Sequence, residues 1–192
     1  MFKKIIFAFI ALSLAILPFA APTHAFGEPT IDWSVIQADA TIINEQAMTL
    51  EQEAFQMTQM AQTIQETETD PDVIALAGDI IAQAGQIEQD AAAIAMTADD
   101  INHRIDNSEG TTLGLSRDIG LMADRIGEMA DRILWTELQI GVMSNRIVES
   151  EYLISDSTLS QVNEMQETNE TMTNQTKALQ TTDKDIQRKL AF

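Results

Sequence analysis

The sequence contains no cysteine, only four prolines and few aromatic residues, which make up 5% of the chain. Without cysteine there can be no disulfide framework and no thiol nucleophile, so stability must come from packing. Few prolines leave few obligatory helix breaks. The residues that abound instead are mainly helix formers, among them alanine, glutamine, glutamate and methionine. Composition therefore predicts an all-α protein.

Catalytic and cofactor-binding motifs are also missing. The chain has two histidines, His24 and His103, and no Gly-x-Ser-x-Gly elbow, phosphate-binding loop or dinucleotide fingerprint. One histidine beyond residue 25 cannot build a zinc site, and no Glu-x-x-His pair is present for a di-iron centre. We therefore predict that the protein is not an enzyme and binds no cofactor.

Basic residues are scarce. Eleven lysines and arginines stand against 30 aspartates and glutamates, which gives a formal net charge of −19. Nucleic acids and anionic lipid head groups are bound by clustered basic side chains. We accordingly expect no nucleic-acid partner and no membrane binding.

The N-terminus has the layout of a secretory signal peptide. Lys3 and Lys4 precede an apolar run from Ile5 to Leu17, and the small-residue stretch "FAAPTHA" follows Pro18. We predict a signal peptide over 1–25; the alternative, an uncleaved anchor, would need a longer run of ~20 residues. No cysteine follows the run, which excludes a lipoprotein. The expected product, 26–192, is periplasmic or secreted and has a net charge of −21, since Lys3 and Lys4 are lost and no acid is.

Large apolar residues recur every seven positions between residues 31 and 68. They are Ile36, Ile43, Leu50, Met57 and Ile64, and the first four are followed after four positions by Ala40, Ala47, Ala54 and Ala61. This is the heptad spacing of one helix stripe. The small alanines allow a neighbouring helix to approach closely.

The same pattern restarts after Pro71. Its large residues are Val73, Ile80, Ile87, Ile94 and Ile101, paired with Ala77, Ala84, Ala91, Ala98 and Ile105. Asp70 and Pro71 form a typical helix start, an N-cap followed by a first-turn proline. Two segments with matching stripes of large apolar residues and alanines predict an antiparallel hairpin of helices over 31–68 and 71–107.

A third heptad segment follows a joint marked by Gly110 and Gly114. Its isoleucines recur without a miss, and we assign the second core position to residues three places later. The isoleucines are Ile119, Ile126, Ile133, Ile140, Ile147 and Ile154, and the later residues include Met122, Met129 and Met143. We predict a third helix over 116–155.

Beyond Ile154 the seven-residue period continues one position out of frame, at Met165, Met172, Leu179 and Ile186. The slip falls in "SDSTLS", which is rich in helix-capping residues. A turn there gives a fourth helix over 158–190 of similar length, and so an antiparallel four-helix bundle with coiled-coil-like packing in one domain over 26–192. The alternative is a helical hairpin plus one long helix. The predicted core contains Ile43, Ala47, Leu50, Ile80, Ala84, Ile87, Ile126, Met129 and Ile133.

Two patterns resemble metal sites. Met57 and Met60 lie one turn apart, as in thioether copper sites. The methionines of the apolar stripes, however, occupy core heptad positions. Three aspartates near His103 (Asp99, Asp100 and Asp106) lack the glycine and closing glutamate of an EF-hand. We interpret the first set as core and the second as a solvated face, and predict no metal.

The third segment carries the residues we select as a candidate interaction seam. Arginines beside the isoleucine stripe can reach acids on a neighbouring helix, and glycines after the isoleucines allow close approach. The seam consists of Gly120, Arg125, Gly127, Arg132, Gly141 and Arg146. The same residues could serve contacts within one bundle instead, an alternative that the sequence leaves open.

The tandem "LMADRIGEMADRI" within this segment resembles repeats in uncharacterised exported helical proteins of Gram-negative bacteria. The resemblance covers about forty residues and implies no activity.

These observations predict an exported, non-catalytic protein that acts through helix–helix contacts, either with a protein partner or with itself. The alternative is a membrane-interacting secreted protein of the pore-forming-toxin type. Such proteins usually have a hydrophobic hairpin, which this sequence lacks; the basic amphipathic stretch "KDIQRKLAF", 184–192, is short for interfacial anchoring.

Overall fold

A computed structural model describes residues 30–107, 112–150 and 154–191, which form four helices. They are α1 (Trp33–Thr67), α2 (Pro71–Asp106), α3 (Thr112–Glu149) and α4 (Asp156–Leu190). All four belong to one compact unit, Ile31–Phe192. The predicted signal peptide, 1–25, lies outside the described residues.

The helices form a closed antiparallel ring. Each consecutive pair is in contact, and α1 also contacts α4. Side-chain hydrogen bonds between α1 and α2 show that these helices are antiparallel. Gln37, near the start of α1, donates to Asp106 at the end of α2, and Thr58, farther along α1, donates to Glu88, earlier in α2. The predicted four-helix bundle is confirmed, and the alternative with one long helix is wrong because α3 ends at Glu149.

The heptad residues of α1 and α2 make one continuous core. Every large residue and every alanine of the two predicted heptad stripes is fully buried from Ile36 to Ile101. The one residue beyond this range, Ile105, is partly buried. A layer of alanines between two helices allows closer packing than a layer of leucines. The contact between α1 and α2 is accordingly the most extensive of the four.

In α3 the predicted second core position is confirmed only in part, because Met122 and Thr136 are buried whereas Met129 and Met143 are not fully buried. Met129 is only partly buried, whereas the other eight predicted core residues are fully buried. The most deeply buried residues besides the isoleucines lie four places after them, at Ala123, Ala130, Glu137 and Ser144. Thus α3 uses the same large-then-small spacing as α1 and α2. Positions three places after an isoleucine lie on the shoulder of this stripe, and residues there are less deeply buried than those four places after it.

Helix caps fix the first hairpin as predicted. The Asp70 carboxylate accepts hydrogen bonds from the backbone N–H groups of Asp72 (2.8 Å) and Val73 (3.2 Å). Pro71 is the first residue of α2. Asp32 caps α1 in the same way, through the N–H of Ser34.

The predicted bounds of the third and fourth helices, 116–155 and 158–190, need correction. The third helix begins at Thr112, so Gly114 lies inside it, and it ends at Glu149. Ser155 caps α4, accepting from the N–H of Thr158 at 3.1 Å. Ile154 still packs against the core although it is not helical. The isoleucine period therefore outlasts the helix, which explains the overlong prediction.

Among the helices over 30–107, 112–150 and 154–191, none has the length and apolar character needed to cross a bilayer.

Candidate interaction surface on the third helix

Three large apolar side chains lie exposed in the middle of α3. Trp135 is 63% exposed, Leu138 is 58% exposed and Val142 is 54% exposed. Their spacings of three, four and seven place them on one stripe of the helix, opposite the buried isoleucines. We call Trp135, Leu138 and Val142 the α3 ridge. Three such neighbours form a patch, whereas single exposed apolar residues are normal.

Exposed apolar residues elsewhere in the described structure are more dispersed. Two exposed leucines of α3 lie 14 or more residues before the ridge, and on α2 the one large example is Met96, which is 75% exposed. On α1 two pairs seven residues apart, Val35 with Ile42 and Met48 with Phe55, lie toward opposite sides of the helix. The α3 ridge is thus the most concentrated apolar feature of the described surface.

Shallow grooves flank the ridge on both sides. Between α2 and α3, a groove of about 490 Å³ is bordered by Asp79 and Gln83 across from Trp135. Between α3 and α4, a groove of about 480 Å³ passes Leu138 and Asn169. A ridge between two grooves is the surface that a second helix packs against.

The ridge also lies in an uncharged stretch of an acidic protein. From residue 133 to residue 145 the only charged side chain of α3 is Glu137, which is 1% exposed. Exposed charged residues appear on either side, Asp131 before the ridge and Arg146 after it. Protein interfaces typically have few charged residues at their centre and a polar rim around it.

Beneath the ridge, Glu137 occupies the core position that alanine holds one heptad earlier. Thr176 of α4 donates a hydrogen bond to its Oε1 at 2.8 Å, whereas its buried Oε2 has no partner within the described structure. Burial raises the pKa of Glu137 to about 7, against the opposing hydrogen bonds of Thr176 and Thr173. This carboxyl group is therefore partly protonated near neutral pH.

Asp183 of α4 is a second buried carboxylate, 2% exposed. Gln187 donates to its Oδ2 at 3.1 Å. Burial raises the pKa of Asp183 to about 7, and the charge of Asp124 adds to the effect. A Cβ at Gly127 would lie 3.2 Å from Asp183 Oδ2. The missing side chain at Gly127 thus leaves room for this carboxylate between α3 and α4.

The residues of the predicted seam divide between roles inside the bundle and the surface. Arg132 makes a two-point ion pair with the buried Asp90 of α2, at 2.6 and 3.2 Å, and these bonds raise the pKa of Arg132. Arg125 and Arg146 are exposed and form no ion pair within 30–107, 112–150 and 154–191.

The seam glycines likewise have different surroundings. A Cβ at Gly141 would make ordinary contact with Asn169, at 3.5 Å, and one at Gly120 would meet nothing within 4 Å. Close approach is therefore seen at Gly127 alone among the three seam glycines.

Sequence reasoning missed the α3 ridge, although a signal existed. Leu121, Glu128, Trp135 and Val142 recur every seven residues, two places after the core isoleucines. A second stripe with this offset faces away from the core, and its apolar members could have been singled out.

The residues considered as possible metal ligands are buried in the core or contact other side chains. Met57 is fully buried, Met60 packs against the core, and His103 contacts Asn107. Asp100 pairs with Arg104. Within the part of the chain that the structure describes, no three His, Cys, Asp or Glu side chains are grouped so that they could hold a metal ion.

No known protein family matches the chain, and neither a curated protein nor a solved structure is significantly similar to it. The resemblance of the LMADRIGEMADRI repeat to exported helical proteins therefore stays a prediction. The function has to be inferred from the residues of the bundle.

Proposed function

We propose that the protein is an exported, non-catalytic interaction protein that binds another helical surface through the α3 ridge. The observation that carries this proposal is the exposure of Trp135, Leu138 and Val142 in an uncharged stretch between two grooves. Burying three such side chains against a partner stabilises a complex by roughly 25 cal/mol per Å² of apolar surface, before the costs of association.

The remaining surface agrees with a protein partner rather than with a membrane. The apolar residues of the C-terminal basic stretch, Ile186 and Leu190, are buried in the bundle, and Lys189 contacts Asp39 of α1. This stretch would have to leave the bundle before it could enter a bilayer. We therefore rank the membrane-interacting alternative second.

Site-directed photo-crosslinking in the cells that make the protein tests the proposal. A photoreactive phenylalanine analogue replaces Leu138 in one variant and Met96 in the control. Both side chains are exposed and apolar, but Met96 lies alone on α2. We expect a discrete protein adduct from position 138 and none from position 96. No adduct from 138, or the same adducts from both positions, would contradict the proposal.

Two further measurements examine export and the membrane alternative. Export predicts that the chain isolated outside the cytoplasm begins at Phe26. The alternative predicts binding to anionic liposomes that is lost when residues 184–192 are deleted, whereas we expect the intact chain to stay in the supernatant.

A further inference from the structure

We infer that the occupant of the α3 ridge is a second copy of this chain, docked with the two α3 helices antiparallel. The inference rests on the proposed function and names the partner of the same surface. The distribution of charge along the exposed stripe of α3 favours such a partner.

The charged residues that border the ridge are complementary under a two-fold axis midway between Leu138 and Gln139, whereas Glu128 and Glu149, about one turn farther out, would meet as like charges. Such an axis places Trp135 of one copy opposite Val142 of the other, and Asp131 opposite Arg146. Both pairs occur twice, as isologous contacts must. A parallel arrangement would instead bring Asp131 against Asp131 and Arg146 against Arg146. The charges therefore favour the antiparallel dimer.

Neither charged residue is committed to an ion pair inside the bundle. Arg146 is exposed and unpaired within the described residues, and Asp131 accepts one hydrogen bond, from Gln180 at 2.7 Å. Arg132, by contrast, is held by Asp90. An ion pair with a second copy would give Arg146 the carboxylate partner that Arg132 already has.

The uncharged centre explains why an acidic chain can pair with itself here. Two copies with a net charge of −19 repel each other over most of their surfaces. The stretch from residue 133 to residue 145 presents no exposed charge, and the ridge supplies the apolar contact. Association at this surface therefore combines weak repulsion at the centre with burial of apolar surface.

Sedimentation velocity of the exported chain, 26–192, over a wide concentration range tests the dimer. We expect a monomer–dimer equilibrium in the unmodified protein. Asp131→Arg or Arg146→Asp alone should lower the association constant by about tenfold or more, because each creates two like-charge contacts. Glu51→Arg, at an exposed position of α1, is the control for the change in net charge and should leave association nearly intact.

Mixing the two variants gives the decisive measurement. Asp131→Arg and Arg146→Asp chains have complementary charges at both contacts, so we expect a heterodimer as tight as the original dimer. The double variant should likewise pair with itself again. Circular dichroism of every variant should remain that of the unmodified bundle.

The results separate the two claims. A chain that stays monomeric up to roughly millimolar concentration, or a mixture that associates no better than its components, overturns the dimer. If position 138 then crosslinks to a different protein, the proposed function survives with another partner. If position 138 crosslinks to nothing, both fail.

Discussion

Glu137 shows what one polar residue costs in a heptad core. The corresponding position holds alanine in the two preceding heptads of α3 and serine in the next. Burial removes water from the carboxylate. One of its oxygens accepts a hydrogen bond from Thr176, and the other has no partner within the described structure. The neighbouring charges have smaller effects in opposite directions, since Lys177 lowers the pKa and Glu53 raises it. Desolvation is therefore the dominant effect.

The raised pKa values of Glu137 and Asp183 predict a stability that falls with rising pH. Both folded-state pKa values, about 7, exceed the ordinary values of 4.5 and 3.8, so at a pH between the ordinary and the raised values the folded chain binds more protons than the unfolded chain. Stability is greatest below the unfolded pKa and is lost as the pH rises through the folded pKa. We expect urea denaturation to give a lower free energy of unfolding at about pH 8 than at about pH 5.

The variants Glu137→Gln and Asp183→Asn should each flatten this pH dependence. At about pH 8 we expect either to stabilise the bundle, by on the order of 2 kcal/mol, because no charge remains to be buried. Glu51→Gln removes the same formal charge from an exposed site and should change little. Equal pH profiles for the unmodified protein and both core variants would contradict the prediction.

The glycines of α3 give a second prediction at the residue scale. Replacing glycine by alanine in a helix gains ~1 kcal/mol if the added methyl group fits. Gly120 has open space, so Gly120→Ala should stabilise by about that amount. At Gly127 the methyl group would crowd Asp183 Oδ2, so Gly127→Ala should gain less or lose stability.

Thermal or chemical denaturation of the two variants measures this difference. In an Asp183→Ala background the crowding disappears, and Gly127→Ala should then stabilise like Gly120→Ala. If Gly127→Ala stabilises fully in the unmodified chain, Asp183 is not the obstacle.

Among the elements, two helix ends are joined by Glu68. This residue caps the end of α1, and its carboxylate accepts hydrogen bonds from the Ser155 N–H (3.0 Å) and from the Thr158 hydroxyl. It therefore binds the N-terminus of α4, where negative charge is favourable. The Thr158 and Ser155 hydrogen bonds hold the pKa of Glu68 below its usual value.

Removing this contact with Glu68→Ala should destabilise the bundle by about 1–2 kcal/mol, the usual cost of a lost helix cap or charged hydrogen bond. Because the pKa of Glu68 is lowered on folding, its contribution is present above the unfolded pKa and is lost as the pH falls through the folded pKa. The difference between Glu68→Ala and the unmodified protein should therefore shrink in acid. Glu66→Ala, at an exposed position two residues earlier, is the control. A constant difference at all pH values would show that Glu68 acts by other means.

The sequence predicts α1 and α2 well because their local signals agree. Asp70, Pro71 and the alanine seam all indicate the same two helices, and the structure confirms them. In α3 the methionines and alanines lie on adjacent shoulders of the isoleucine stripe, three and four places on. Which shoulder is buried depends on where α2 and α4 pack, so Met129 could not be assigned from spacing alone.

The candidate site was less accessible from sequence for a related reason. The ion pair of Arg132 depends on Asp90, 42 residues away, and the room at Gly127 depends on Asp183. Such contacts need the relative register of two helices. A heptad constrains this register only to multiples of seven.

At the scale of the whole molecule, the excess of acid predicts a response to salt. Three ion pairs between helices hold described residues together: Arg104–Asp118, Arg132–Asp90 and Lys189–Asp39. The net charge of −19 opposes folding by self-repulsion over a much larger surface. Sodium chloride screens both the ion pairs and the repulsion, and we expect the screening of the repulsion to be the larger effect on stability.

We therefore expect the melting temperature to rise steadily with sodium chloride concentration. Chelators should leave it unchanged, because no ligand set for a metal is apparent in the sequence. Replacement of sodium chloride by potassium chloride controls for a specific cation. A fall in Tm with salt would mean that the three ion pairs outweigh the repulsion, and a fall with chelator would reveal a bound metal.

The pairing of α4 with α1 has a consequence for the order of the chain. Lys189, in the last turn of α4, touches Asp39, near the start of α1. The two helix ends therefore lie side by side, and a short glycine-rich linker can join them. A circular permutant with that linker, cut between Asp106 and Thr112, would run α3, α4, α1, α2 around the same ring. Since the helices meet only their neighbours in the ring, no contact between helices depends on which of the four comes first.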